Sequence, residues 1–125
     1  MAAVLSNFLR EAVPEVICES AGVAESAASG ASPSPFAITA ARRIGLNITG
    51  HRKRHTASLN LKEYDLIICA SDGVAAQVIE GGADIKKVYN AQVPNPWPCQ
   101  FQEDYDICFS LVLSAMYRVV TRYFP

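Results

Sequence analysis

Leu66-Ile67-Ile68-Cys69-Ala70, entered through Tyr64-Asp65 and left through Ser71-Asp72, is the run on which the fold turns. It shows no alternation of apolar and polar residues. A continuous apolar run of this length suits a strand covered on both faces, as in a parallel sheet lying between helix layers. Ser71-Asp72 then supplies a cap for a helix carrying Val74, Val78 and Ile79, which Gly81-Gly82 ends. Beyond it, Ile85 to Tyr89 reads as a further, shorter strand. Three prolines between Ala91 and Gln100 make that segment a loop.

Upstream, Ser34-Pro35 starts a helix as cap and first-turn proline, and Gly45 stops it after Arg42 and Arg43. Leu46 to Asn60 is polar and basic without a sustained period, a loop with room for a short helical turn. Residues 23–33 are a loop by composition. Val16-Ile17-Cys18 reads as a short buried strand. From Ala2 to Val13 the residues Val4, Leu5, Phe8, Leu9, Ala12 and Val13 recur at helical spacing until Pro14. At the other end, Tyr105, Cys108, Phe109, Val112, Met116, Val119, Val120 and Tyr123 form one apolar stripe. That helix is acidic at its start and basic near its end, as the macrodipole prefers.

The order helix–strand–helix–strand–helix–strand–helix spells an α/β domain in three layers, a parallel sheet flanked by helices. One domain over 1–125 is the expectation. Domains of this type open with a strand feeding a phosphate-binding turn at a helix N-terminus. Here the first recognisable element is a helix, so the first strand is expected to be missing.

Composition narrows the function. Half of the 125 residues are hydrophobic and 18% are charged, which fits a globular chain. Eleven basic against twelve acidic residues leave no bulk charge for nucleic acid or an anionic membrane. No apolar run approaches the roughly 18–20 residues of a membrane span. No secretory signal opens the chain, so cytoplasm is the expected compartment. Cys18, Cys69, Cys99 and Cys108 are too dispersed for C-x-x-C chemistry and read as structural thiols.

Several segments together resemble the low-molecular-weight protein tyrosine phosphatases. Ser34 to Thr56 matches a helix that ends in H/R-x-G-I/L and is followed by H-x-x-R, here His51 to Arg54. Tyr64-Asp65 matches the opening of the next strand, Ser20-Ala21-Gly22 an S-A-G strand end, and Val93-Pro94-Asn95-Pro96-Trp97 the family's D-P-aromatic loop. The likeness covers nearly the whole chain. It implies the phosphotyrosine phosphatase I-like fold and phosphotyrosine-protein hydrolysis as the family's activity, with no cofactor and no metal.

It also implies roles residue by residue. Ser20 and His51 match side chains that support the phosphate loop, Asn95 stands in the place of the aspartate acid, and Trp97 in that of an aromatic substrate wall. The family's nucleophile loop, C-x5-R, occurs nowhere in the chain. An amide at position 95 cannot deliver a proton, which forfeits a contribution of ~10²–10⁴-fold. The aromatic that many relatives carry soon after S-A-G is absent from Ala21 to Gly30. Two readings stay open. In one, the chain is a phosphatase, inactive as it stands, whose longer form would act on a phosphotyrosine protein or bind a phosphate-like anion. In the other it is a pseudophosphatase, a non-catalytic interaction module. Arsenate reduction on the same fold is weakened by the cysteine spacing. In the family's sheet the missing strand lies beside Leu66–Ala70. Its loss leaves unpaired edges, so the chain must pair Glu15–Glu19 directly with Leu66–Ala70, borrow a strand from another copy or stay partly molten; self-association or marginal stability is the expectation.

Overall fold

The computed structural model describes residues 1–10, 12–94 and 101–124. Two compact units are woven from one chain: Met1–Ser20, Ser32–His51 and Asn95–Pro125 form the first, Ala21–Ala31 and Arg52–Pro94 the second.

The first unit is helical. Helix α1 spans Ala2–Leu9, α2 Pro35–Arg43 and α4 Gln102–Tyr123, with α1 and α2 each packed on α4. Ser34 caps α2 by accepting from the Ala37 N–H at 3.2 Å, Pro35 occupies the first turn, and Gly45 follows the end at φ +82°, where a side chain would be strained. The expected stripe on α4 goes inside for most of its length, with Phe109 and Val120 half-buried and Tyr123 exposed, whereas Tyr105, Cys108, Val112, Met116 and Val119 are buried, joined by Ala115. They meet Val4, Leu5 and Leu9 of α1 and Ala40 and Ala41 of α2 as the unit's core. Small alanines on α2 let its backbone come close to α4. At the rim, Phe36 stacks on Tyr105 with centroids 5.4 Å apart, and Gln102 Nε2 donates to the Phe36 carbonyl (2.9 Å) and to Asp106 Oδ1 (3.0 Å). Arg43 completes this edge by pairing with the second oxygen of Asp106.

The second unit holds the sheet. Strand β1, Ile67–Cys69, pairs in parallel with β2, Val88–Asn90, in the register Ile67 to Val88, Ile68 to Tyr89 and Cys69 to Asn90. Helix α3, Asp72–Glu80, packs on both strands and begins at Ser71, whose Oγ accepts from the Val74 N–H at 3.3 Å. Cys69, Val78 and Ala83 form the core, with Val23, Leu61, Ile67, Val74 and Val88 packed against them. The α/β class and the parallel sheet under a helix are as expected; the strands are shorter and fewer.

Three expectations need correction. Val16–Cys18 is no strand: the segment runs without a ladder partner, Ile17 is 84% exposed and Cys18 half-buried. Three apolar residues between Pro14 and Glu19 cannot hold a strand that nothing pairs with. Ile85 to Tyr89 divides, because Asp84 Oδ1 accepts from the Lys86 N–H (3.0 Å) and turns Ile85–Lys87 into a 3-10 helix before β2 begins. The first helix ends at Leu9, short of Val13, although the Val13 N–H still reaches the Leu9 carbonyl at 2.8 Å. Glu15–Glu19 does not extend the sheet, which has two strands among the described residues.

Candidate functional site

Ser20 and His51, the two side chains matched to phosphate-loop support, both fall in the first unit. Ser20 is half-buried in a stretch without regular secondary structure, and His51 is exposed, its N–H donating to the Ile48 carbonyl at 3.0 Å. Each has an interaction partner. Asn95 and Trp97 lie outside the described residues, as does Cys99. Of the basic run Arg52-Lys53-Arg54-His55, the first two residues are exposed and the last two half-buried.

The last residue of that run is held by a set of polar contacts rather than presented to solvent. His55 lies in a parallel bridge with Gly22, bracketed by Gly22 N–H to the Arg54 carbonyl (2.9 Å) and Thr56 N–H to the Gly22 carbonyl (3.0 Å). Its Nδ1 accepts from the Ala57 N–H at 2.9 Å, capping the 3-10 turn Thr56–Ser58. With Nδ1 an acceptor, the proton sits on Nε2, which donates to the Val23 carbonyl at 2.9 Å. The ring thus staples two segments together. Gly22 is required by the same junction: a Cβ there would lie 2.8 Å from the Ala27 Cβ. The glycine of Ser20-Ala21-Gly22 has its reason in packing. A cavity of about 320 Å³ opens beside this junction, walled by Val23, Leu59 and Leu61 with Thr56, Gln77 and Gly81.

The loop leaving β2 is held just as locally. Asn90 Nδ2 donates to Asp72 Oδ1 at 2.5 Å, and Asn90 Oδ1 accepts from the Gln92 N–H at 2.9 Å. Gln92 takes a left-handed conformation, φ +53°. Ala91 and Val93 N–H groups reach the Cys69 and Ala70 carbonyls at 2.8 Å each, so the chain is fixed to β1 up to the last residues before Asn95.

The thiols carry their own information. Burial pushes Cys69, Cys108 and Cys18 above the ordinary thiol range; the amino terminus near Cys108 offsets its shift in part. None is set up as a thiolate nucleophile, which needs a lowered pKa. Among the described residues, no group of histidine, cysteine or carboxylate side chains could hold a metal ion, and no helix is long and apolar enough to cross a membrane.

Comparison with known proteins agrees with this architecture. The family model described as low molecular weight phosphotyrosine protein phosphatase matches residues 2–106. No curated protein matches in sequence. Among solved structures, Wzb of Vibrio vulnificus, in complex with benzylphosphonate, is 21% identical, with a TM-score of 0.79 over 97% of this chain and 86% of that one. A protein tyrosine phosphatase of Entamoeba histolytica, with Hepes in its active site, is 15% identical, with a TM-score of 0.85 over 97% and 85%. The tyrosine phosphatase Wzb of Escherichia coli K30, in complex with sulphate, is 21% identical, at 0.76 over 97% and 88%. At these identities the likeness is one of fold.

Proposed function

The chain belongs to the low molecular weight phosphotyrosine protein phosphatase family, and from that premise we propose a divided reading. Hydrolysis of phosphotyrosine in proteins is the chemistry of its lineage, while these 125 residues by themselves turn over no aryl phosphate. The observation that carries this is the state of the cysteines. Covalent phosphoryl transfer in this family runs through a thiolate with an arginine six positions on to clamp the phosphate oxygens. The residues six positions after Cys18, Cys69, Cys99 and Cys108 are Ala24, Ala75, Tyr105 and Ser114. The described thiols are moreover raised by burial, the wrong direction for a nucleophile. Asn95 adds a second deficit, since an amide cannot protonate a leaving phenolate. Ser20 and His51 are then supports that have outlasted the activity, and Trp97 a wall with no reaction beside it. Non-catalytic binding is the role left to the chain as it stands, in the cytoplasm, where thiols stay reduced.

The test is turnover of an activated aryl phosphate by the purified chain from acid to neutral pH. No release of phenolate above the buffer rate is expected. Turnover that Cys69→Ser or Cys99→Ser abolishes would overturn the proposal, because it would mean that one of these thiols attacks phosphorus without the usual loop.

A further inference from the structure

The side of α4 turned away from the core carries a pattern that is symmetric about its own midpoint. Glu103, Ile107, Ser110, Leu111, Ser114 and Arg118 stand at spacings of four, three, one, three and four residues. With 3.6 residues per turn, all six fall within an arc of about 100°, on the side away from the buried Cys108, Val112, Met116 and Val119. All six are exposed. Ile107 and Leu111 are large apolar side chains, 53% and 45% accessible. Reversing the chain direction about the midpoint between Ser110 and Leu111 sets Glu103 opposite Arg118, Ile107 opposite Ser114 and Leu111 opposite Ser110. Each acid meets a base, and each large side chain meets a small one. The Ser110 hydroxyl already donates to the Asp106 carbonyl at 3.1 Å, so covering it strands no donor.

We propose that this outer face of α4 is the contact of a two-fold dimer, occupied by the same helix of a second copy of the chain lying antiparallel. One stripe then supplies both halves of the interface, as an isologous contact requires. Ile107 and Leu111 of each copy lie over Ser114 and Ser110 of the other, and the serines let the helix axes approach to about 8 Å. Glu103 and Arg118 close the two ends as ion pairs. A parallel pair would set Glu103 beside Glu103 and Arg118 beside Arg118, and like charges so placed repel. The acidic end of the stripe also opposes an anionic membrane surface, which favours a basic polar face. One helix face buries less than a standard interface, so the association is weak and reversible. The chain is a monomer at micromolar concentration and a dimer toward millimolar.

The experiment is sedimentation equilibrium of the intact chain from micromolar to millimolar concentration. Arg118→Glu and Glu103→Arg should each weaken dimerisation about tenfold, because each sets two like-charged pairs across the contact. Mixing the two variants should restore association, since the mixed pair has opposite charges at both ends. A chain carrying both changes should likewise pair with itself. These differences should shrink as salt rises. Leu111→Gln should weaken the dimer several-fold whatever the salt. Should a charge-reversed chain fail to fold, Leu111→Gln and the salt series on the unaltered chain decide. Three results overturn the assignment: a monomer at millimolar concentration, whether or not it binds anionic vesicles; a dimer indifferent to these substitutions; or mixed variants that associate no better than either alone.

Discussion

At Gly22 the backbone of one segment passes so close to Ala27 that a single extra methyl has nowhere to go. Gly22→Ala is therefore expected to destabilise the fold by about 1–3 kcal/mol, the usual cost of overpacking. Urea unfolding measures it. Adding Ala27→Gly should recover most of the loss, because it vacates the atom that collides; a double variant no better than the single one would place the cost elsewhere. His55, next to this glycine in the bridge, shows what local sequence hides. Its ring bonds a carbonyl that is 32 positions away in the chain, and no spacing rule anticipates such a partner. In sequence it was one of four basic residues on a loop. Ser20 and His51, by contrast, stood out through family likeness alone, since a lone serine and a lone histidine carry no physical signature.

Among the elements, the legible ones are those whose signals lie within one stretch of chain. Ser34-Pro35 and Ser71-Asp72 announce helices because cap, first turn and stop are contiguous. The stripe on α4 repeats often enough to fix which face is buried. Strands are harder, since a strand exists only with a neighbour. Leu66–Ala70 carried enough apolar weight to be recognised, but Val16–Cys18 did not have a partner and stayed irregular. Near β2, a side-chain bond from Asp84 outweighed β propensity over Ile85–Lys87. The central helix yields a second expectation. Met116 is fully buried on α4, so Met116→Ala should cost about 2–5 kcal/mol by chemical denaturation, transfer loss and cavity combined. Ile107→Ala on the same helix, at a side chain that is 53% exposed, should stay within about 0.5 kcal/mol. Similar losses at both positions would mean that the two faces are wrongly assigned.

For the molecule as a whole, the buried thiols set an alkaline limit. A thiol whose pKa is raised on folding contributes its full stability below the unfolded value of about 8.5 and loses it as pH climbs toward the folded one. Cys69, Cys108 and Cys18 all shift in that direction. The melting temperature should accordingly fall above about pH 8.5, and replacing Cys69 by alanine should flatten that fall even while lowering stability at neutral pH. A pH-independent melt across this window would remove the thiols from the account. The interleaving of the two units has a consequence of another kind. The second unit has all its residues once Pro94 has been added, whereas the first needs α4, the last helix of the chain. On a ribosome, then, sheet and α3 can close while α1 and α2 still wait for α4 to cover their apolar faces, and for the length of one helix of synthesis the nascent chain is at its most aggregation-prone.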